Sequence, residues 1–320
     1  MKEWRILIAE PENFSKSAVA ILEKFATVEC MAITQHDVRR VLKEYDVVWV
    51  RLRLQVRAGD LPHSPRCRFI VSATTGTDHL DLVKLSQLGI QVMCLREERV
   101  FLETIGVTAE LTLGLLLALL RRLPAAVNSV VEQGRWDRDA FRGVELFGKT
   151  AGIVGLGRLG KKMARYLSTL GMRVVGWDPY APLVNDVQPT SSLKALLQES
   201  HVITLHIPLN EETRGMFNAD SFAAMRPGAY FINTSRGALV DEKALLETLL
   251  SGHLGGAALD VLCGEPGIDL NNALVQYAGS YGNLIISPHI GGAVEGVMGR
   301  CEEYMAKLVY QQYQDLINEV

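Results

Sequence analysis

The chain has 320 residues, of which 48% are hydrophobic and 22% are charged, values typical of a soluble globular protein with two domains. Its formal net charge of −3 argues against a broad nucleic-acid-binding surface, which would need a basic face. Its five cysteines are scattered and form no Cys-x-x-Cys pair, which favours reduced thiols over a disulfide framework or a metal site.

Short apolar runs alternate with helical patterns along nearly the whole chain, as in parallel α/β sheets covered by helices on both faces. We expect strands at Arg5–Ala9, Val47–Val50, Phe69–Ser72 and Ile90–Met93. A long helix should follow from Glu103 to Gln133, with a break near Pro124. Further strands are expected at Ala151–Val154, Arg173–Trp177, Val202–His206, Tyr230–Asn233, Gly256–Leu259 and Leu284–Ser287, and a final helix at Ala293–Val320.

The sequence shows no predicted signal peptide and no predicted membrane span. The first residues lack the apolar core and cleavage site of a signal peptide. The most apolar run, Leu111–Leu120, is about half as long as a membrane span. We therefore expect a cytoplasmic protein that binds neither a membrane nor a nucleic acid.

A Gly-x-Gly-x-x-Gly sequence follows the strand predicted at Ala151–Val154 and opens a helical pattern. In this context the glycines permit a tight turn, close approach of a pyrophosphate and close packing of helix on strand. The helix N-terminus offers N–H groups to the phosphates. The candidate cofactor contacts in this loop are Gly155, Gly157, Arg158, Leu159 and Gly160.

An acid ends the next predicted strand. Asp178 lies eighteen residues beyond Gly160, where a carboxylate accepts hydrogen bonds from the adenosine ribose and repels the 2′-phosphate of NADP. We therefore expect NAD as the cofactor, with Pro179 and His206, at neighbouring strand ends, as further contacts. The alternative is an ordinary strand-to-helix turn with a solvated aspartate.

Three later strands end in segments that carry Arg236, Glu265 and His289. Carboxyl ends of parallel strands form ligand crevices. Arginine offers a planar fork to a substrate carboxylate, histidine can accept a hydroxyl proton as hydride leaves, and a glutamate can hold the histidine ring. Each residue also has a structural alternative: a turn cap, a solvated loop acid and a structural histidine.

At these residues the chain resembles the D-isomer-specific 2-hydroxyacid dehydrogenases, a family that includes phosphoglycerate, glycerate, D-lactate, phosphite and formate dehydrogenases. The resemblance covers essentially the whole chain. Its motifs are Thr75–Asp81, Thr108–Glu110, the glycine loop, Asn233–Gly237, Asp260–Pro266 and Pro288–Gly292.

The resemblance implies a role for each matching residue. Arg236 would bind the substrate carboxylate and polarise the C2 oxygen, and His289 would be the acid/base paired with Glu265. Asp260 would approach the nicotinamide. The backbone of Thr75, Gly76 and Thr77 would contact the substrate carboxylate. Further cofactor contacts would come from Thr108, Thr234, His289 and Gly291.

The resemblance also implies two parallel-sheet domains, Rossmann-like and flavodoxin-like, with the cofactor domain inserted in the substrate domain. The NAD-binding domain would span 103–290, and the substrate domain 1–102 plus 291–320. Members of the family are typically homodimers that associate through the cofactor domain. Leu111–Leu120 and Gly134–Trp136 are candidates for that contact, although the helix could simply be core.

Two features depart from the family or leave the substrate open. Cys94–Arg99 replaces a more polar stretch that contains Asn and Gly. Arg51 and Arg53, two residues apart after a predicted strand, could bind a second anionic group such as phosphate or phosphonate. They could equally be solvated edge charges.

The predicted function is hydride transfer between NAD(H) and C2 of a small D-2-hydroxy acid or 2-oxo acid. Formate oxidation is disfavoured because that branch has Gln where this chain has Glu265, and a phosphite-type reaction is weakened because Thr75 replaces a lysine. A further alternative is an NAD-sensing corepressor, which shares the fold and triad but would bind NAD tightly with negligible turnover.

Overall fold

The computed structural model describes residues 4–182 and 184–318. The chain divides into two compact units. One contains the residues up to Ile105 together with those from Ala293 onward, and the other is Gly106–Gly292. The second unit is therefore inserted in the sequence of the first.

The first unit contains a five-stranded parallel sheet in the order β2-β1-β3-β4-β5, the flavodoxin-like order. Its core comes from strands that are apolar almost throughout, as expected where both sheet faces are covered. The strands are β1 Trp4–Ile8, β2 Ala26–Cys30, β3 Val47–Trp49, β4 Phe69–Ser72 and β5 Gln91–Cys94. The helices are α1 Lys16–Leu22, α2 Val38–Glu44, α3 Leu82–Gln87, α4 Arg99–Glu103 and the C-terminal helix Val297–Asn318.

The second unit contains a seven-stranded parallel sheet in the order β12-β11-β10-β9-β6-β7-β8. Neighbouring strand residues such as Ile153 and Val154 belong to two different core clusters, one on each face of the sheet. The strands are β6 Thr150–Val154, β7 Arg173–Trp177, β8 Gln188–Pro189, β9 Val202–Leu205, β10 Tyr230–Asn233, β11 Gly256–Leu259 and β12 Leu284–Ile286. The helices are α5 Val107–Leu120, α6 Leu123–Val131, α7 Arg158–Thr169, α8 Leu193–Glu199, α9 Ala219–Ala224, α10 Glu242–Leu250 and α11 Ala273–Ser280.

The parallel α/β fold predicted from the sequence is confirmed, with local corrections. The two-residue edge strand β8 was not predicted. The edge strand β2 was not predicted, because only its first residue is buried and it lacks a continuous apolar run. The break predicted near Pro124 is present, since α5 ends at Leu120, α6 begins at Leu123 and Arg122 has a left-handed φ of 51° between them. The predicted start at Glu103 is wrong, because α4 ends at that residue and α5 begins only at Val107. Pro124 lies in the first turn of α6, where proline is tolerated.

The C-terminal helix starts at Val297, later than the predicted Ala293. The predicted end, Val320, lies outside the described residues. By length and composition alone, Arg99–Leu120 could cross a membrane, but core helices of soluble proteins meet the same criteria. In this fold α5 packs Leu115, Leu116 and Leu119 into the core of the second unit, which accounts for its apolar character.

Candidate active site

The seven parallel strands of the second unit end at the same edge of the sheet, and nearly all the predicted cofactor and catalytic residues follow six of them, β6, β7 and β9 to β12. In the sheet, β6 lies between β7 and β9. Strands β7 and β8 extend the sheet on one side of β6, and β9 to β12 extend it on the other side. In open α/β sheets, ligands bind in the crevice at such a switch point. The glycine loop follows β6 and His206 follows β9, so both lie at this point.

The glycine loop has the geometry that a pyrophosphate needs. Gly155 has a φ of 91°, which favours glycine, and a Cβ at Gly160 would collide with the Gly155 carbonyl oxygen. A Cβ at Gly157 would meet nothing within 4 Å, so the backbone there is open to a ligand. Arg158 begins α7, whose first N–H groups therefore point to the same place. The described residues of this loop fit a dinucleotide.

Asp178 is fixed beside the glycine loop rather than solvated in a turn. Its Oδ2 accepts a hydrogen bond from the Leu156 amide at 2.8 Å, and its Oδ1 accepts from the amides of Tyr180 and Ala181 at 2.9 and 3.0 Å. Pro179 is exposed next to it. The carboxylate is thus held at the end of β7, with its charge beside the loop.

His206 is neutral at physiological pH, because burial lowers its pKa to about 3. Its Nε2 lies 2.9 Å from the Thr204 hydroxyl. On α5, the Thr108 hydroxyl donates to the Gly291 carbonyl at 2.9 Å, and Thr112 lies 2.8 Å from the Thr234 hydroxyl. These contacts bring three predicted cofactor residues, Thr108, Thr234 and Gly291, to the N-terminal part of α5.

His289 and Glu265 form the predicted pair: His289 Nδ1 lies 2.8 Å from Glu265 Oε1. Both side chains are partly accessible, with 24% and 29% of their surface exposed. His289 has a φ of 54°, a conformation that non-glycine residues adopt at a cost of about 1–3 kcal/mol. Its amide donates to the Asp260 carbonyl at 2.8 Å, which holds the backbone in this conformation.

Asp260 organises the segment that carries His289. This carboxylate is 1% exposed and accepts three hydrogen bonds, from the Ser287 hydroxyl at 2.6 Å, the Ile290 amide at 2.9 Å and the Gly291 amide at 2.8 Å. The sequence predicted a role near the cofactor but not this one, because the partners lie 27–31 residues away. Its placement directly after β11 was the only available signal.

Arg236 follows β10, and its Nη1 donates to the Ser235 carbonyl at 2.7 Å. The side-chain amide of Asn233, the last residue of β10, donates to the Arg236 carbonyl at 2.9 Å and fixes the turn. A Cβ at Gly237 would lie 2.5 Å from the Cys263 nitrogen, so only glycine lets this loop pack against the loop that carries Glu265. The sheet and this contact bring the loops of all three predicted catalytic residues to one edge.

In the first unit, Thr75, Gly76 and Thr77 form a turn after β4. Their backbone N–H groups donate to no acceptor among the described residues, and such consecutive amides form anion-binding concavities. The Thr74 hydroxyl donates to the Gly76 carbonyl at 2.8 Å, and Arg96 contacts the turn from the end of β5. The sequence did not predict a site role for Arg96, although it singled out the segment that contains it.

Arg51 and Arg53 follow β3, and both have carboxylate partners. Arg51 pairs through Nη2 with Glu302 of the C-terminal helix, which is 2% exposed, and donates to the Glu12 carbonyl at 2.7 Å. Arg53 Nε lies 3.6 Å from Glu10. Their predicted role as a second anion site remains a prediction, and these partners offset the positive charge it depends on.

Two family models match the chain. The NAD binding domain of the D-isomer specific 2-hydroxyacid dehydrogenases matches residues 113–291, and their catalytic domain matches residues 6–97. The chain is 30% identical over 317 residues to hydroxypyruvate reductase of Thermotoga maritima, covering 98% of this chain and 99% of the relative. It is 35% identical over 296 residues to D-3-phosphoglycerate dehydrogenase of Methanocaldococcus jannaschii, covering 91% of this chain and 54% of the relative. The chain thus spans about half the length of the phosphoglycerate dehydrogenases it matches.

Among solved structures, D-lactate dehydrogenase from Aquifex aeolicus, complexed with NAD and lactic acid, superposes with a TM-score of 0.85 at 25% identity. The match covers 99% of this chain and 97% of that one. The TT0316 protein from Thermus thermophilus superposes with a TM-score of 0.80 at 31% identity, covering 94% of each chain. The chain therefore belongs to the D-isomer specific 2-hydroxyacid dehydrogenases, and residues 113–291 match the family's NAD-binding domain.

Proposed function

We propose that the protein is an NAD-dependent oxidoreductase that transfers hydride between NAD(H) and C2 of a small D-2-hydroxy acid or 2-oxo acid. The observation that carries this proposal is the His289–Glu265 pair at 2.8 Å, held at the sheet edge that also bears the glycine loop and Arg236. A proton-transfer group, a carboxylate-binding cation and a dinucleotide loop together match oxidation of an alcohol beside a carboxylate.

When bound, NAD supplies the hydride acceptor, and NADH the hydride donor. The glycine loop would hold its pyrophosphate, and Asp178 its adenosine ribose. Thr108, Thr234, His206 and the Gly291 segment would line the rest of the site. Because Asp178 repels a 2′-phosphate, NAD is favoured over NADP.

His289 would move the proton of the substrate hydroxyl. Its Nδ1 faces the Glu265 carboxylate and so carries the N–H group that donates to it, which leaves Nε2 to exchange the proton. Arg236 would bind the C1 carboxylate and polarise the C2 oxygen. The open amides of the turn at 75–77 support a second contact to that carboxylate. In this scheme the NAD-binding domain spans 103–290 and also carries Arg236 and His289, and the substrate domain spans 1–102 with 291–320.

The cellular setting is part of the proposal. The cysteines of the described chain are all free thiols, which suits the reducing cytoplasm. A homodimer is supported by exposed apolar side chains on and after α6: Val127 is 59% exposed, Val131 71% and Trp136 89%. Burial in an interface with a second copy would remove them from water.

A light-scattering measurement tests the dimer. The parent should elute at twice the 35.3 kDa chain mass, and Val131→Asp should shift it toward one chain. Val83→Asp, at a 68% exposed valine on α3, introduces the same charge elsewhere as a matched control. A parent that elutes as a single chain would contradict the homodimer.

NADH oxidation against a panel of 2-oxo acids tests the activity. The panel contains glyoxylate, hydroxypyruvate, pyruvate, a branched-chain oxo acid, phosphohydroxypyruvate and phosphonopyruvate. Turnover should be lost in His289→Gln and kept in His253→Gln, whose ring lies 3.0 Å from the Met225 carbonyl. Preference for the phosphorylated or phosphonate acids would support a second anion site at Arg51 and Arg53. Tight NADH binding without turnover would favour the NAD-sensing alternative.

A further inference from the structure

Arg96 is attached to the turn at 75–77 by its side chain. It lies in the single 3-10 turn Leu95–Glu97, directly after β5 and within the segment that departs from the family pattern. Its Nη2 donates to the Thr77 hydroxyl at 3.0 Å, and its Nε donates a longer bond to the Thr75 carbonyl at 3.4 Å. Next to it, the amide of the buried Leu95 donates to the Thr74 carbonyl at 2.9 Å. The turn is thus bonded to this segment at two points, and Thr74, the residue before it, at a third.

The contact with the Thr75 carbonyl has a directional consequence. In a planar trans peptide, the carbonyl of one residue and the N–H of the next point in opposite directions. The N–H group of Gly76 therefore points away from Arg96. A cation at the carbonyl end polarises the peptide and makes its N–H a stronger donor, because hydrogen bonds in a chain reinforce one another.

Arg96 also differs from Arg51 and Arg53, the two arginines after β3, in whether a carboxylate lies beside its guanidinium. Arg51 and Arg53 face the carboxylates of Glu302 and Glu10. Among the described residues, no carboxylate lies within 4.0 Å of Arg96, whose acceptors are an uncharged carbonyl and a hydroxyl. No described carboxylate therefore forms an ion pair with Arg96, so its positive charge at the turn is screened by solvent, to which the side chain is exposed, and not by a bonded acid.

We propose that Arg96 is a positioning residue for the substrate carboxylate. It fixes the turn at 75–77 and adds a positive charge behind the Thr75–Gly76 peptide, whose N–H receives the carboxylate. This inference rests on the proposed function, since it assigns the turn to the carboxylate of the same substrate. It adds a residue from the departing segment 94–99 to the site.

Binding of oxamate, an inert analogue of pyruvate, to the NADH-bound protein tests the inference by calorimetry. Arg96→Gln should raise the Kd for oxamate, and the KM for the preferred 2-oxo acid, about tenfold, the loss expected when one charge-assisted interaction is removed. The kcat should stay within about twofold, because the bound substrate still meets the same reacting groups. The Kd for NADH should not change.

Two comparisons separate the charge from a merely structural role. Arg96→Lys keeps the charge without the fork and should recover part of the lost affinity. Raising NaCl from about 50 mM to about 500 mM should weaken oxamate binding in the parent more than in Arg96→Gln, since salt screens a charge. Arg99→Gln removes the same charge three residues away, at an exposed side chain, and should bind oxamate as the parent does.

Three results would overturn the inference: unchanged oxamate affinity in Arg96→Gln, no recovery in Arg96→Lys, or equal salt dependence in the parent and Arg96→Gln. Each of these results is measured against a parent protein that turns over a 2-oxo acid. Each would therefore contradict the role of Arg96 and leave the proposed function standing. A parent that neither turns over the panel nor binds oxamate would instead remove the proposed function.

Discussion

The carboxylate of Asp260 provides the strongest quantitative prediction. In Asp260→Asn, one of the two carboxylate oxygens becomes an NH₂ group. In either orientation this group faces a donor: the Gly291 amide in one, and the Ser287 hydroxyl with the Ile290 amide in the other. Hydrogen bonds to a charged group contribute about 1.5–3 kcal/mol, and an unsatisfied buried donor costs about 1–3 kcal/mol. We expect the free energy of unfolding to fall by about 3 kcal/mol.

Urea and thermal unfolding without cofactor measure this loss separately from any effect on binding. A loss of about 3 kcal/mol corresponds to a decrease in Tm of about 6–12 °C for a unit of this size. Hydrogen exchange at 287–291 should become faster, because the amides of Ile290 and Gly291 lose their common acceptor. A shift of about 1 Å in His289 would lower kcat about a hundredfold.

Asp241→Asn is the matched control for Asp260→Asn. Asp241 is exposed and caps α10 by accepting from the Lys243 and Ala244 amides through a single oxygen, which asparagine retains. Its free energy of unfolding should change by less than about 0.5 kcal/mol. If Asp260→Asn also stayed within that range, with unchanged exchange at 287–291, the reasoning from its three hydrogen bonds would be refuted.

Three further predictions concern the same sheet edge. Gly237→Ala should reduce kcat/KM and lower the free energy of unfolding by about 1–3 kcal/mol, since its Cβ would press on the backbone at Cys263; normal kinetics and unfolding would contradict this. Burial, together with the nearby Glu242 carboxylate, raises the pKa of Cys263 to about 11, so the thiol stays protonated below that pH. Iodoacetamide at pH 7.5 should alkylate it at least about tenfold more slowly than free cysteine, and an equal rate would contradict the shift. Asp178→Ser should raise kcat/KM with NADPH relative to NADH at least about tenfold, because the charge that repels the 2′-phosphate is removed; an unchanged ratio would exclude Asp178 from cofactor choice.

Much of the fold could be predicted because buried parallel strands leave continuous apolar runs. Val202–Leu205 and Tyr230–Asn233 are of this kind, and they were located to within one residue. The edge strand Ala26–Cys30 leaves no such run, since its outer residues face solvent. The break between α5 and α6 could be predicted from Pro124, but the left-handed conformation of Arg122 could not, because arginine has no preference for it.

The candidate site was predictable where its residues belong to local motifs. His289 and Glu265 could be paired in advance because each follows a strand in a recognisable segment. The three hydrogen bonds that the Asp260 carboxylate accepts could not be predicted, because they depend on the backbone path of 287–291, which folds over the end of β11.

The three arginines at strand ends of the first unit show why charge in a sequence does not identify an anion site. In the sequence, Arg51 and Arg53 have the more suggestive spacing, and Arg96 is followed by two glutamates. In the fold, Arg51 meets a carboxylate 251 residues away, whereas the partners of Arg96 in the described part of the chain are uncharged oxygens. A guanidinium beside a buried carboxylate has much of its attraction for a ligand neutralised, while one held by neutral acceptors does not. The distant partner, rather than the local spacing, therefore decides which arginine acts on a bound anion.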